Sequence, residues 1–238
     1  MSNPTSAMNL PLSNTKSPLT VVFDLDGTLA DTAPDIIGTL NVLLARDGLL
    51  PVPIHAAREL VGAGARKLLK RGFSYHNQEL SDERCESLFH EFIRVYETRL
   101  ADESFLFAGV ETALERLKQA GFILAVCTNK GEKQARDFLS HMNISAYFTA
   151  VCGADTFEVN KPHPDHLTRT VKLSGGDIAH AVMVGDSQTD IDTAKAANIP
   201  VIAVPFGYTP IPVYDLNPDA IIHHFDELDA ALQRIFPA

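Results

Sequence analysis

Two aspartates one residue apart follow the first buried apolar run of the chain. The run from Leu19 to Phe23 ends at Asp24 and Asp26, and Gly27 comes directly after them. Residues i and i+2 of an extended strand point to the same side, so both carboxylates can face one small site. Carboxylates at the end of a buried strand are costly unless a cation or a reaction uses them. A divalent cation is the natural partner, and the alternative is an ordinary Asp-Gly turn.

Two later apolar runs end in polar residues of the same kind. The run 122–127 ends at Thr128 and Asn129, and the run 181–184 ends at Gly185 and Asp186. The carboxyl ends of parallel strands lie at one edge of a sheet, where ligands bind in such folds. We therefore expect these polar residues to share one crevice with the first two aspartates.

Lys161 and Asp190 complete this set of polar residues. Lys161 precedes a proline in a loop, and Asp190 follows Asp186 by one helical turn. Three of the later polar residues also have ordinary explanations. Thr128 can cap a helix, Lys161 can be a solvated loop charge, and Asp190 can be an exposed acid in a first helical turn. Taken together with the paired aspartates, they favour a catalytic site.

Short apolar strands alternate with helical stretches over most of the chain, which predicts an α/β fold with a doubly wound parallel sheet. The expected strands are near 19–23, 122–127, 148–152, 181–185, 201–205 and 220–222, and the expected helices near 110–120, 131–141, 163–173, 189–197 and 226–235. The segment 33–105 instead has helical periodicity, with a stripe formed by Cys85, Leu88, Phe89, Phe92, Val95 and Tyr96. This segment is predicted to be an inserted helical domain.

Four short motifs in this order resemble the haloacid dehalogenase superfamily of phosphohydrolases. They are Asp24-Leu25-Asp26-Gly27-Thr28, Thr128 with Asn129, Lys161, and Gly185-Asp186 with Asp190. The resemblance implies a Rossmann-like core made of residues 18–32 and 106–238, with residues 33–105 as an α-helical cap over the active site.

The resemblance also implies a chemistry, which is Mg²⁺-dependent hydrolysis of phosphomonoesters through an aspartyl-phosphate. Asp24 would be the nucleophile, and Asp26 would be the general acid and base. The implied metal ligands are Asp24, the backbone carbonyl of Asp26, and Asp186. Thr128, Asn129 and Lys161 would bind the phosphoryl group, and Asp190 would bind the metal through water or orient Lys161.

The strings VGAGARKLL, KPHPDHL and VPFGY are most similar to the bacterial phosphoglycolate phosphatase group, so 2-phosphoglycolate is the expected substrate. Gly62, Gly64 and Arg66 of the cap would set specificity, with Arg66 facing a carboxylate; the alternative is a surface arginine in a helix connection. Phosphatases of other sugar, sugar-acid or amino-sugar phosphates, a hexose phosphomutase, and a catalytically silent scaffold remain open.

Composition limits the partners of the chain. Its 238 residues carry a net charge of −10, which argues against nucleic acid or an anionic membrane as partner. The resemblance implies a small phosphorylated metabolite as the substrate, so local cations, a bound metal and backbone amides would have to reverse the field at the site. Three cysteines without a C-x-x-C pair favour a reducing cytoplasmic location. Residues 1–17 are expected to be a disordered tail. His163 and His166 are expected to be a helix start and a surface residue. The sequence leaves monomer and homodimer open.

Overall fold

The computed structural model describes residues 18–54, 61 and 64–237 of the chain. The predicted tail 1–17 and the predicted cap residue Gly62 lie outside these residues. A six-stranded parallel sheet with the order β5-β4-β1-β6-β7-β8 forms the centre. Its strands are β1 (Thr20–Phe23), β4 (Ile123–Cys127), β5 (Ala150–Cys152), β6 (Ala181–Gly185), β7 (Val201–Ala203) and β8 (Ala220–Ile221). The predicted α/β fold class is confirmed.

Helices cover both faces of this sheet, and the strand side chains alternate between two apolar cores. Val21 and Phe23 pack into one core, whereas Val22 packs into the other. The first face carries α4 (Val110–Gln119), α5 (Glu132–His141) and α8 (Leu228–Ile235), and the second carries α6 (Pro164–Leu173) and α7 (Gln188–Ala196). Burial on both faces explains why the strands are continuous apolar runs.

A small antiparallel pair of strands connects the sheet to an inserted helical segment. Strand β2 (Ala30–Asp31) pairs with β3 (Phe105–Leu106), and the chain between them contains α1 (Ala33–Arg46), α2 (Ala65–Ser74) and α3 (Asp82–Glu97). The predicted stripe on α3 packs into the apolar core. The division of the chain into core and cap at residues 33 and 105 stays a prediction.

Short 3₁₀ turns join several of these elements. They span Ser145–Tyr147, Ile178–His180, Val213–Leu216 and Phe225–Glu227. Within the described ranges, no helix has both the length and the apolar character needed to cross a bilayer.

Candidate active site

The carboxyl ends of three neighbouring strands meet at one crevice. Asp24 follows β1, Thr128 follows β4, and Asp186 follows β6, with the side chains buried or nearly so. Gly27 makes the turn that follows the aspartates, with a φ of +87° that favours glycine. A Cβ on Gly27 would lie 2.6 Å from Asp186 Oδ2, so the turn also needs a residue without a side chain.

Three buried carboxylates face one another in this crevice. Oxygens of Asp24, Asp186 and Asp190 lie within 4.8 Å of one another. Burial raises the pKa of Asp24 to about 7, although Lys161 opposes this rise. Burial and the neighbouring carboxylates of Asp190 and Asp24 also raise the pKa of Asp186 well above its ordinary value. So much negative charge in a buried space fits a divalent cation.

Two donors fix the Asp186 carboxylate. Thr28 Oγ1 donates to Asp186 Oδ1 at 2.8 Å, and the Tyr208 backbone N–H donates to Oδ2 at 2.7 Å. Gly207 lies against the same group, because a Cβ there would be 2.2 Å from Asp186 Oδ2. Each carboxylate oxygen accepts one of these bonds and keeps a lone pair, so Asp186 suits the predicted role of metal ligand.

Lys161 bridges two of the carboxylates. Its Nζ lies 2.9 Å from Asp24 Oδ1 and 2.6 Å from Asp190 Oδ1, and its side chain is 1% exposed. The alternative of a solvated loop charge is therefore wrong. Burial would lower the pKa of Lys161, but the carboxylates of Asp190 and Asp24 raise it above its ordinary value. The ammonium stays charged beside the predicted nucleophile.

Asp190 is also buried, so it is not an exposed acid of the first turn of α7. Its Oδ1 accepts from Lys161 Nζ, while its Oδ2 accepts from the Ser187 hydroxyl at 2.6 Å and from the Ser187 N–H at 3.1 Å. The bond from the Ser187 N–H and the reciprocal bond from the Asp190 N–H to Ser187 Oγ form a capping box at the start of α7. They fix Asp190 against Lys161, which favours the orienting role over binding of a metal through water.

Thr128 and Asn129 lie at the end of β4. Thr128 is buried, and its Oγ1 accepts from the Lys130 N–H at 3.2 Å. Helix α5 begins later with Gly131 as its N-cap, so Thr128 is not a helix cap. The Asn129 amide donates to the Lys161 carbonyl at 3.1 Å and links two of the predicted motifs.

Lys130 is a site residue for which the sequence predicted no role. Its Nζ lies 2.8 Å from Asp26 Oδ1 and 3.1 Å from Oδ2, and 4.7 Å from the centre of the Tyr96 ring. Thr32 Oγ1 also donates to Asp26 Oδ1, at 2.7 Å. The only signal in the sequence is a lysine directly after Thr128 and Asn129 at a strand end. Lys130 and Asp26 are 104 positions apart in the sequence, so a local pattern cannot show the contact.

Tyr208 is a second residue whose contacts sequence reasoning missed. Its hydroxyl donates to Asp31 Oδ1 at 2.6 Å and accepts from the N–H groups of Thr32 and Ala33 at 2.7 and 2.9 Å. Its backbone N–H contacts Asp186. Tyr208 thus connects the carboxylate cluster with strand β2 and the start of α1. The string VPFGY was the available signal.

The prediction that His166 is a surface residue is wrong. Its side chain is buried, its Nδ1 accepts from the Lys161 N–H at 3.1 Å, and its Nε2 lies 3.1 Å from the Gly153 carbonyl. Burial and the nearby Lys161 lower the pKa of His166 to about 4, so the ring is neutral and donates from Nε2. His163 is the N-cap of α6, as expected for a helix start.

A cavity of about 740 Å³ lies between the sheet edge and the inserted helices. Asp24, Asp26 and Thr128 line its floor, while Gly64 and Arg66 line it from the start of α2. Cationic side chains offset the acidity of the whole chain here, and those lining the cavity include Arg66, Lys67, Arg94 and Lys130. The arrangement suits an anionic ligand.

Arg66 is held on the surface of the inserted segment. Its guanidinium forms a two-pronged bond to Glu86, at 2.8 and 2.7 Å, and stacks 3.6 Å from the centre of the Phe89 ring. The side chain is 53% exposed, so it can leave Glu86 at modest cost. Its role as a specificity residue stays a prediction, as does that of Gly64.

Comparison with known proteins adds independent findings. The family model described as haloacid dehalogenase-like hydrolase matches residues 21–204. A phosphoglycolate phosphatase of Mesorhizobium japonicum is 44% identical over 89% of this chain and 93% of its own length. A phosphoglycolate phosphatase of Caulobacter vibrioides is 45% identical over 89% of this chain and 90% of its own length. The crystal structure of a predicted phosphoglycolate phosphatase from Haemophilus somnus has a TM-score of 0.83 at 30% identity, covering 90% of this chain and 97% of that chain.

Proposed function

The chain belongs to the haloacid dehalogenase-like hydrolase family, and on that premise we propose that it is a Mg²⁺-dependent phosphatase that hydrolyses 2-phosphoglycolate to glycolate and phosphate. The main observation in support of the reaction class is the position of Lys161 Nζ. It lies 2.9 Å from Asp24 Oδ1, and Asp24 belongs to a cluster of three carboxylates with Asp186 and Asp190. The substrate is supported by the two phosphoglycolate phosphatases that are 44% and 45% identical to this chain.

Asp24 and Asp26 perform the chemistry in this proposal. An Asp24 oxygen attacks phosphorus and forms an aspartyl-phosphate, while the ester P–O bond breaks. The leaving oxygen takes a proton from Asp26 and departs as the alcohol. Water then attacks the aspartyl-phosphate and gives a proton to Asp26. Phosphate is released, the Asp24 carboxylate is regenerated, and Asp26 is again the acid.

The donors at the sheet edge fit Mg²⁺, which prefers oxygen ligands. Asp24, the backbone carbonyl of Asp26, and Asp186 would hold it, and the orientation of Asp186 by Thr28 and Tyr208 supports this assignment. When bound, Mg²⁺ supplies positive charge that stabilises the phosphoryl oxygens in the transition state.

The remaining polar residues bind and position the phosphoryl group. Thr128 donates its hydroxyl to a phosphoryl oxygen, with help from the backbone around Asn129. Lys161 neutralises charge on the phosphoryl group and on Asp24, and Asp190 orients Lys161 through their 2.6 Å contact. His166 supports the same loop, because it accepts from the Lys161 N–H.

Residues 33–105 act as a cap that covers the cavity and excludes water from the reaction. Gly64 and Arg66 belong to the wall that this segment contributes. The three free cysteines support the cytoplasm as the location.

The test is phosphate release from 2-phosphoglycolate with and without Mg²⁺, alongside a panel of sugar, sugar-acid and amino-sugar phosphates. We expect 2-phosphoglycolate to have the highest kcat/KM, and chelator or Asp24→Asn to abolish turnover. Asp192→Asn is the matched control, because this exposed acid lies on α7 outside the cavity. If another phosphomonoester were preferred, the substrate assignment would be wrong and the reaction class would stand. Isomerisation of glucose phosphates without phosphate release would indicate a mutase, and no metal-dependent turnover would indicate a silent scaffold.

A further inference from the structure

Lys130 occupies a special position among the cations of the cavity. Its side chain is 6% exposed, and its ammonium pairs with both oxygens of Asp26. The face of the Tyr96 ring, on helix α3, lies on another side at 4.7 Å. The Lys130 N–H donates to Thr128 Oγ1, so the backbone is fixed at the floor of the cavity. A buried ammonium is therefore held next to the proposed general acid.

The position of this ammonium decides which part of a substrate it can meet. Asp26 is the proposed donor of a proton to the leaving oxygen, so the leaving group of the substrate lies beside the Asp26 carboxyl. Lys130 Nζ lies 2.8 and 3.1 Å from the Asp26 oxygens and lines the same cavity, so it faces the same leaving group. Thr32 also contacts Asp26, but its hydroxyl is neutral and itself donates to that carboxylate. A buried ammonium at this place favours an anionic group on the leaving group.

We infer that Lys130 binds the carboxylate of the substrate and thereby selects phosphomonoesters whose leaving group carries an anionic group close to the ester oxygen. The inference rests on the proposed function, since it places the leaving oxygen beside Asp26. In 2-phosphoglycolate a single methylene separates the ester oxygen from the carboxyl carbon. A cation in contact with Asp26 is therefore within reach of that carboxylate. The substrate releases the general acid from its ion pair as it binds.

The other cations of the site are less suited to this task. Lys161 is already engaged by Asp24 and Asp190, on the phosphoryl side of the site. Arg66 contacts Glu86 and is half exposed on the wall of the cavity, so it does not contact the proposed general acid. Lys130 alone among these three contacts the proposed general acid in the described part of the chain.

The test compares 2-phosphoglycolate with 2-hydroxyethyl phosphate, a substrate of similar size whose leaving group is neutral. We expect Lys130→Gln to lower the kcat/KM ratio of the charged to the neutral substrate by roughly 100-fold, as is typical when one partner of a buried charge pair is truncated. Lys130→Arg, which keeps the charge, should restore part of the ratio. Lys133→Gln is the matched control, because Lys133 is 66% exposed and pairs with Glu97 and Asp137 outside the cavity. Equal losses on both substrates in Lys130→Gln would overturn the inference.

A second measurement does not depend on whether Lys130 variants fold. The Asp24→Asn protein, which lacks the nucleophile, is crystallised with 2-phosphoglycolate and Mg²⁺. Lys130 Nζ within hydrogen-bond distance of the substrate carboxylate supports the inference, and a carboxylate bound elsewhere with Lys130 still on Asp26 refutes it. Failure of the proposed function is distinguishable, because the unmodified protein would then not hydrolyse 2-phosphoglycolate at all.

Discussion

The crowded carboxylates predict that Asp24, the proposed nucleophile, destabilises the metal-free protein at neutral pH. Burial raises the pKa of Asp24 from 3.8 to about 7. An acid whose pKa is higher in the folded than in the unfolded chain costs stability as the pH rises from the lower value to the higher one. Such a rise lowers the unfolding free energy by about 4 kcal/mol once Asp24 is fully ionised.

Asp24→Asn removes this penalty and keeps the shape of the side chain. Lys161 retains a partner in the variant, because Asp190 lies 2.6 Å from its Nζ. Between pH 5 and pH 8, in chelator, we expect the stability of the unmodified protein to fall relative to the variant by about 3 kcal/mol. Asp186 and the other titrating groups are present in both proteins, so the comparison measures the Asp24 carboxylate together with its effect on the neighbouring Asp186.

Urea unfolding at the two pH values measures this difference directly. Added Mg²⁺ should reduce it, because the cation has the Asp24 carboxylate as a ligand in the folded unmodified protein and lacks that ligand in the variant. Asp192→Asn, which removes an exposed carboxylate of α7, should follow the unmodified protein at both pH values. If the Asp24→Asn protein and the unmodified protein lost the same stability between pH 5 and pH 8 in chelator, the raised pKa of Asp24 would be wrong.

Three further substitutions test other contacts. Arg66→Ala should raise the KM for 2-phosphoglycolate more than for a neutral phosphomonoester, and equal kinetic effects on both substrates would reject a carboxylate contact at Arg66. Tyr208→Phe removes a hydroxyl with three buried partners and should lower the unfolding free energy by roughly 1–3 kcal/mol, whereas Tyr214→Phe, 54% exposed, should change it little. Gly207→Ala places a Cβ 2.2 Å from Asp186 Oδ2 and should weaken Mg²⁺ binding in calorimetry; unchanged affinity would show that Asp186 can move.

The sheet and its helices were predictable because each strand is a short apolar run between turn residues. The strands expected near 122–127 and 181–185 are observed at Ile123–Cys127 and Ala181–Gly185. The alternation with helices then limits the topology to a parallel sheet wound on both faces. The convergence of strand ends follows from that topology, so Asp24, Thr128 and Asp186 could be predicted to lie together.

The contacts around this set were not predictable, because they depend on packing between distant segments. Lys130 reaches Asp26 across 104 residues, and the Tyr208 hydroxyl reaches Asp31 across 177. The burial of His166 was missed for a related reason. Both ring nitrogens are occupied by backbone groups from two other loops, and a local pattern cannot show such a satisfied environment.

The pairing of β2 with β3 has a consequence for how enzymes of this architecture diversify. Ala30 lies opposite Leu106, so the chain departs from the sheet and returns to it at nearly the same point. A segment with coincident ends can be lengthened, shortened or exchanged without moving β1 relative to β4, and the entropic cost of greater length grows only slowly. Transplanting residues 33–104 between relatives should therefore change which substrates are accepted, while Asp24, Thr128 and Asp186 at the strand ends keep their arrangement.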